Sequence, residues 1–308
     1  MSASALPANV TGPVPVTPPA SRQVVARRAS TEPLWIRFGL TALALVFVFL
    51  FLIVPLWVVF SEALSDGWRS YRAAVVDPYA LSAIKLTLLV AGIAVPLNTL
   101  FGIAAAWCIA KFRFVGRSLL LSLIDLPFAV SPVISGLIFI SLFGRVGVFG
   151  PWLAAHNIKI IFAVPGIVLV TTFVTFPFVA RELIAFMEAQ GSEEEEAAMV
   201  LGASGWQTFF RVTLPNIRWG LIYGIILCTA RAMGEFGAVA VVTGGIEGQT
   251  NTIPLQVGSL YDDYQFTAAF AVASLLTLLG LVTLVVKQIV EYQTHRELLQ
   301  GSKAVLES

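Results

Sequence analysis

Long apolar runs recur along the chain and are separated by short polar stretches. Four runs of 21 to 25 residues contain no charged residue, namely 38–60, 86–110, 160–180 and 266–286. Two further runs contain isolated charges: 118–143 contains Asp125, and 219–246 contains Arg231 and Glu235. Because about 20 apolar residues in a helix cross the hydrocarbon core of a bilayer, the pattern predicts about six transmembrane helices. The expected fold class is therefore all-α integral membrane protein.

Composition supports this interpretation and removes other classes of protein. Of the 308 residues, 57% are hydrophobic and only 12% are charged, against about 25% charged in a typical soluble domain. The low share of charged residues makes membrane lipid the expected surrounding. The net charge of +1 provides no basic field for nucleic acid. The two histidines and two cysteines form no cluster in the sequence, so no metal site is expected.

The distribution of Lys and Arg predicts how the chain is oriented. With the N-terminus inside, 13 of the 19 basic residues lie in cytoplasmic segments and five lie in external ones. The positive-inside rule therefore favours cytoplasmic placement of both termini in a multi-pass protein. The expected organisation is a disordered cytoplasmic tail (1–33), a first transmembrane helix with an external loop (34–83), a transmembrane domain (84–290) and a cytoplasmic C-terminal tail (291–308). Within it, 247–265 is expected to be an external loop.

The longest predicted cytoplasmic connection, 181–218, is expected to fold into two short helices at about 192–212. Ser192 followed by Glu195 has the pattern of a capping box at a helix start. Gly202 can adopt the left-handed conformation that ends many helices. Ser204 can begin a second helix, which Pro215 is expected to close. Two short helices joined at an angle would project from the membrane surface.

A specific motif lies in this connection. Glu196-Ala197-Ala198 is followed after three residues by Gly202, and after nine more by Val212, one residue and Leu214-Pro215. This string resembles the EAA motif of the binding-protein-dependent ABC importer permeases, with Val212 in place of isoleucine as its one departure. The resemblance implies the type I ABC importer permease fold. It also implies that this segment is the coupling helix, which sits in a groove of a separate ATPase subunit.

Residue types in the motif suit contact with another protein. Small alanines allow a partner backbone to approach closely, adaptable apolar side chains provide contact area, and a glutamate offers a charge for a basic group. The residues expected to couple this chain to an ATPase are Glu196, Ala197, Ala198, Met199, Leu201, Gly202, Leu214 and Pro215.

Further strings narrow the resemblance to the sulfate/thiosulfate importer branch. They are DLPFAVSPV at 125–133, GASGWQ at 202–207, RVTLPNIRW at 211–219 and ARAMGEFGA at 230–238. The resemblance implies a cell inner (plasma) membrane complex with a second, CysT-like permease subunit, two CysA-like ATPase subunits and a periplasmic sulfate-binding protein. ATP and Mg²⁺ would bind to the ATPase, and no cofactor is expected on this chain. A molybdate or tungstate permease is the alternative, because the sequence does not contain the protein that selects the oxyanion.

Charges inside the predicted helices are expected to have partners, since isolated ions are costly in a bilayer. Pro127 and Pro132 should kink or break the third helix next to Asp125, which would cap the break, pair with a neighbouring helix or act in gating. Arg231 and Glu235, four residues apart, can form an ion pair that fixes packing or gating. Direct contact of Arg231 with the passing anion is the competing interpretation.

Two other functional classes are less consistent with the sequence. No G-x-x-x-x-G-K-[ST] phosphate loop and no nucleophile–base arrangement occur in the sequence, so no catalytic residues are assigned and the chain is not expected to be an enzyme. An ion-driven secondary transporter often shows broken helices at matching positions in two halves. The prolines of the third helix have no clear counterpart in the sixth, and such a carrier has no need of a projecting ATPase-coupling segment.

Overall fold

The computed structural model describes residues 34–307, with side chains described for 35–292. Residues 1–33, the predicted disordered tail, lie outside the described residues. Within 34–307 the chain is all helix and loop, without a strand, as the apolar pattern predicts. The chain divides into two units, Met1–Ile53 and Val54–Ser308. The described part of the first unit is the helix α1 (Leu34–Val48) and a π-helical turn, Phe49–Ile53.

The described part of the second unit contains fourteen α-helices and a second π-helical turn, Phe209–Thr213. In chain order the helices are α2 (Val54–Ala63), α3 (Gly67–Val76), α4 (Pro78–Lys111), α5 (Arg117–Ala129), α6 (Pro132–Phe143), α7 (Gly150–Ala155), α8 (Val164–Gln190), α9 (Glu193–Val200), α10 (Gly205–Thr208), α11 (Leu214–Asn216), α12 (Arg218–Met233), α13 (Gly237–Thr243), α14 (Ile253–Asp262) and α15 (Phe266–Glu307).

Within 34–307, four helical segments are long and apolar enough to cross a membrane: Trp35–Ala63, Pro78–Lys111, Val164–Gln190 and Phe266–Tyr292. Two bent helix pairs raise the number to six if each counts as one span. These pairs are α5 with α6, bent by 108°, and Gly205–Asn216 with α12, bent by 68°. Six spans are therefore present only if two of them are strongly bent.

Several boundaries differ from the sequence-based expectation. The helix α8 continues past Arg181 to Gln190, because arginine is a good helix former and ends the apolar run rather than the helix. Arg181 pairs with Asp125 of α5. The expected C-terminal tail is helical up to Glu307. The expected loop 247–265 includes α14, and the backbone N–H of Ile253 in α14 donates a hydrogen bond to Thr87 Oγ1 in α4 at 2.8 Å.

The pair α4 and α8 forms the centre of the second unit. Ala106 and Ile109 of α4 and Val179 and Leu183 of α8 are buried in one apolar cluster. Gly102 allows the two helices to approach closely, because a Cβ at this position would lie 2.8 Å from Val179 Cγ1. The glycines of α12, Gly220 and Gly224, face α8 in the same way. The small residues of α12 therefore serve packing within the chain.

Both apolar runs that contain isolated charges are broken, and the two breaks are adjacent. The third run is interrupted between Ala129 and Pro132, next to the prolines that predict a break there. The fifth run, expected to be continuous, is non-helical between Met233 and Gly237. After the breaks, α6 packs against α13, where a Cβ on Gly136 would lie 2.7 Å from Val241 Cβ. At the second break the buried carboxylate of Glu235 accepts the backbone N–H of Ala238 at the start of α13.

Candidate functional site

The EAA-like residues lie in a compact helical projection at Ser192–Asn216, which we call the elbow. Its first helix, α9, begins directly after Ser192, but the expected capping box is wrong. The hydroxyl of Ser192 donates to Glu196 Oε1 at 2.6 Å instead of capping the backbone. Glu195 turns away toward Lys111 and forms an ion pair at 2.9 Å. The local pattern assigns the Glu195 side chain to the helix start, but this side chain binds Lys111 of α4 instead.

The turn of the elbow forms at Gly202, as expected from the glycine. The φ angle of Gly202 is +88°, a region that favours glycine because a Cβ is strained there. Backbone N–H groups of Gly202 and Ala203 donate to the carbonyls of Met199 and Ala198, each at 3.0 Å, and so end α9. This bonding satisfies carbonyls that the end of a helix would otherwise leave free.

A capping box is present in the elbow, but it begins the second helix. Gln207 N donates to Ser204 Oγ at 3.4 Å, and Ser204 N donates to Gln207 Oε1 at 2.8 Å. Ser204 and Gln207 match the capping-box pattern Ser-x-x-Gln, so this helix start was predictable from the sequence. Pro215 does not close the helical segment, because it lies inside α11 near Leu214, and the 68° bend follows at Ile217. The segment is helical on both sides of Pro215, and the π-helical turn Phe209–Thr213 comes just before it.

The tip of the elbow presents large apolar side chains without cover from this chain. Val200 and Leu201 are each 88% exposed and Trp206 is 70% exposed. Met199 and Phe210 are also exposed, and the rings of Trp206 and Phe210 stack with centroids 5.9 Å apart. Trp206 and Phe210 were not among the sequence-predicted coupling residues. The sequence feature that could have indicated them is a pair of aromatic residues, four positions apart, within a polar segment that is predicted to project.

The base of the elbow is held by a polar network. Lys111, the last residue of α4, donates to the carbonyl of Gly191 and pairs with Glu195, while Thr213 Oγ1 donates to Glu195 Oε1 at 3.2 Å. Alongside, Asn216 Nδ2 donates to Glu194, and Gln190 Nε2 donates to the carbonyl of Asn216 at 3.1 Å. Three of the four consecutive glutamates, Glu194, Glu195 and Glu196, therefore have defined partners.

Asp125 pairs with a neighbouring helix, which is one of the arrangements expected for it. Arg181 of α8 donates from Nε to Asp125 Oδ1 at 2.5 Å and from its terminal nitrogen to Oδ2. Such a two-bond pairing of guanidinium and carboxylate fixes geometry as well as charge. Pro127 is buried within α5, and Pro132 begins α6. This charge pair therefore joins α5 to α8 just before the 108° bend.

Arg231 and Glu235 form the ion pair expected from their spacing. Arg231 Nη1 lies 2.5 Å from Glu235 Oε2, and the residue Glu235 is only 2% exposed. The other carboxylate oxygen, Oε1, accepts a hydrogen bond from the backbone N–H of Ala238 at 2.9 Å. Glu235 thus stabilises the start of α13 and the end of α12 together. This carboxylate therefore lies at the non-helical stretch between Met233 and Gly237.

The predicted site residues therefore form two groups. The residues predicted to couple the chain to an ATPase lie together in the elbow. Asp125, Pro127, Pro132, Arg231 and Glu235 lie at or beside the two helix breaks. Within the residues that the structure describes, no group of three or more His, Cys, Asp or Glu side chains could hold a metal ion.

The part of the chain that contains both groups of residues is similar to known proteins. Residues 98–296, which include the elbow and both helix breaks, match the family described as binding-protein-dependent transport system inner membrane component. The chain is 52% identical to the sulfate transport system permease protein CysW of Synechocystis sp. over 84% of this chain and 94% of that protein. It is 37% identical to the permease protein CysT of Escherichia coli K12 over 78% of this chain and 87% of that protein.

A solved structure supports the fold independently. The chain superimposes with a TM-score of 0.69 on a bacterial alginate ABC transporter in complex with an alginate pentasaccharide-bound periplasmic protein. The match covers 85% of this chain and 94% of that one, at 18% identity. At this identity the likeness concerns the fold alone.

The chain belongs to the family of binding-protein-dependent ABC transporter permeases, which are multi-pass membrane transport proteins and not enzymes. Within that family, its similarity lies with the CysW sulfate permeases. The resemblance to sulfate importer permeases and the all-helical permease fold, both predicted from the sequence, are thereby confirmed.

Proposed function

We propose that the chain forms part of the translocation path of an ATP-driven importer for sulfate and thiosulfate in the cell inner membrane. Its partners are a second, CysT-like permease subunit, two CysA-like ATPase subunits and a periplasmic sulfate-binding protein. The elbow docks into the ATPase and transmits its movement. ATP and Mg²⁺ bind to the ATPase, and this chain binds no cofactor.

The observation that carries the coupling proposal is the exposed apolar tip of the elbow. Met199 and Leu201, both in the EAA-like segment, are exposed together with Trp206 and Phe210. The elbow also contains polar and charged groups, so a bilayer is a poor place for it, whereas a groove on another protein suits both kinds of group. Apolar side chains surrounded by polar ones are typical of protein–protein contact sites.

The pairing of the intramembrane charges favours a structural or gating role for them. Glu235 already offsets the charge of Arg231 at 2.5 Å, and Arg181 holds both oxygens of Asp125. A neutralised arginine attracts a sulfate dianion weakly. We therefore assign Arg231, Glu235, Asp125, Pro127 and Pro132 to packing and gating rather than to capture of the anion.

Uptake of labelled sulfate by cells with and without this chain tests the substrate. We expect uptake that depends on the chain and on the binding protein, with thiosulfate as an effective competitor and molybdate as a weak one. Sulfate uptake that is unchanged by loss of the chain would refute the sulfate assignment. Competition by molybdate that is stronger than competition by thiosulfate would favour the alternative, a molybdate or tungstate permease.

Two substitutions in the elbow test the coupling role. Glu196→Lys reverses a charge on the motif, and Gly202→Asp adds a charged side chain at the turn, where φ is +88°. We expect both variants to abolish sulfate uptake while the protein remains in the membrane, measured by uptake and by immunoblots of membrane fractions.

The matched control for the charge reversal is Glu62→Lys, at an exposed glutamate near the end of α2 and outside the elbow. Its uptake should equal that of the unsubstituted chain. Normal uptake by both elbow variants would contradict the coupling role even if the sulfate assignment holds.

A further inference from the structure

The last turn of α4 contacts the elbow at two points. Lys111 Nζ lies 2.9 Å from Glu195 Oε1 at the start of α9 and also donates to the carbonyl of Gly191. One turn earlier, the ring of Trp107 packs against Phe209 with centroids 4.9 Å apart. An ionic and an aromatic contact therefore join the membrane helix α4 to the elbow, and neither follows from sequence proximity.

The ionic contact is sheltered from water. The side chains of Lys111 and Glu195 are only 10% and 13% exposed. Glu195 Oε1 also accepts the hydroxyl of Thr213, which is 1% exposed. Exposed ion pairs contribute little, because solvent competes for both charges. Loss of one partner from a largely desolvated pair is costly, because the remaining charge has no replacement. The contact between Lys111 and Glu195 is therefore costly to break.

The neighbouring contacts keep the end of α4 from moving independently of α8. Arg117, the first residue of α5, donates from Nε to the carbonyl of Ile109 in α4 at 2.9 Å and pairs with Glu188 of α8 at 2.6 Å, so it bridges the two helices. Inside the membrane helices, Asn98 of α4 donates to Thr175 Oγ1 of α8 at 2.7 Å. A displacement of the elbow that reaches Lys111 would therefore move α4 and α8 as one packed pair.

We propose that Lys111, Glu195 and Thr213 form the joint through which movement of the elbow enters the membrane helices by way of α4. The joint rests on the proposed function, since it concerns how ATPase-driven movement is used. Peptide continuity already links the elbow to α8 and α12, so the joint adds a third, non-covalent connection. Lys111, Glu195 and Thr213 are positioning residues: they touch neither the transported anion nor the nucleotide.

Separate measurement of ATP hydrolysis and transport tests the joint. The complete complex, with its ATPase subunits and second permease, is reconstituted into liposomes with the binding protein and labelled sulfate. Phosphate release and sulfate uptake are recorded on the same preparation. The variants are Lys111→Met and Glu195→Gln, which remove charge at nearly constant side-chain size, and the double variant. Controls are Lys85→Met, an exposed lysine in α4, and Glu193→Gln, an exposed glutamate in α9.

We expect each single variant to retain its ATPase subunits and ATP hydrolysis while sulfate transported per ATP falls about tenfold, in the range of a typical coupling free energy. The double variant should lose no more than either single variant, because residues that act through one contact are not additive. The two controls should keep the ratio of the unsubstituted complex. Thr213→Val, which replaces the hydroxyl with a methyl group and removes no charge, should lower the ratio less than the charge variants do.

Other outcomes overturn the joint. An unchanged transport-to-hydrolysis ratio in both single variants would show that movement enters by another route. Multiplied losses in the double variant would show that the two residues act separately. Loss of the ATPase subunits from all the variants, Thr213→Val included, would make the contact an assembly anchor. If the unsubstituted complex itself transports no sulfate with ATP, the proposed function fails, which is a result distinct from these.

Discussion

At the residue scale, charges within the apolar runs are explained by specific partners. Asp125 is held by Arg181, and Glu235 by Arg231 and the backbone of Ala238. Partnering lowers the cost of an ion in a bilayer. Spacing along one helix predicted the Arg231–Glu235 pair. Arg181 could not be assigned to Asp125, because 56 residues separate them and only the packing of α5 on α8 brings them together.

The first prediction concerns the buried carboxylate of Glu235. Arg231→Met removes its partner and leaves an uncompensated charge, which costs about 3 kcal/mol or more at a buried pair. We expect a lower apparent melting temperature of the detergent-solubilised protein, followed by fluorescence-detected size-exclusion chromatography. The double variant with Glu235→Gln should recover part of the loss, since glutamine can still accept the N–H of Ala238.

Arg145→Met is the matched control, because Arg145 is exposed. Its melting temperature should remain that of the unsubstituted protein. Equal melting temperatures for the Arg231 and Arg145 variants would contradict a stabilising role for the Arg231–Glu235 pair.

At the element scale, the chain uses glycine to bring helices together. Gly102, Gly220 and Gly136 each stand where a Cβ would lie within 3.0 Å of a neighbouring helix. Small residues at interfaces are the usual way to pack helices in a membrane, where lipid offers no hydrophobic driving force. The glycines were visible in the sequence, but the helices that they face were not.

The second prediction tests the contact of α4 with α8. Gly102→Val places a branched side chain where Val179 Cγ1 would lie 2.8 Å from the new Cβ, and overpacking of this kind costs about 1–3 kcal/mol. We expect a lower yield of folded, monodisperse protein and a lower melting temperature. Gly92→Val in the same helix is the control, since a Cβ there meets nothing within 4 Å of its position. A similar loss in both variants would point to helix propensity instead of packing.

At the scale of the whole molecule, the orientation in the membrane follows from charge counting and is still a prediction. Thirteen basic residues lie in the segments assigned to the cytoplasm and five in the external segments. This bias acts during insertion. If the orientation holds, the elbow and both termini lie on the side of the ATP supply, and the segment that links α6 to α8 lies on the other.

The third prediction uses two cysteine substitutions at exposed valines. Val146→Cys, after α6, should react with a membrane-impermeant maleimide in intact cells. Val200→Cys, at the end of α9, is tested in cells that lack the ATPase subunits, which would otherwise cover the tip, and should react only after the membrane is opened. The native cysteines provide a low background, because Cys228 is buried and Cys108 half-buried. Labelling of Val200→Cys in intact cells would reverse the orientation and remove the elbow from any cytoplasmic ATPase.

The sequence predicted the fold class, the elbow and its turn well, and helix ends and local caps less well. Gly202 takes the positive φ expected of it, because the turn depends on backbone freedom at one residue. The capping box expected at Ser192 is absent, since Glu195 pairs with Lys111 of α4. The helix α8 continues past Arg181 because a charged residue ends an apolar run but does not end a helix. At Ser192 a contact between separate helices outweighed a local rule.

By itself, the sequence determined that this chain is a multi-pass helical membrane protein of the ABC permease family, because apolar run length and motif spacing are local properties of the chain. Tertiary structure decided which charges pair, where the third and fifth runs break, and how Lys111 meets the elbow. Those features depend on close packing of helices that lie far apart in sequence. The sequence shows that a charge within an apolar run needs a partner, but it does not identify the partner.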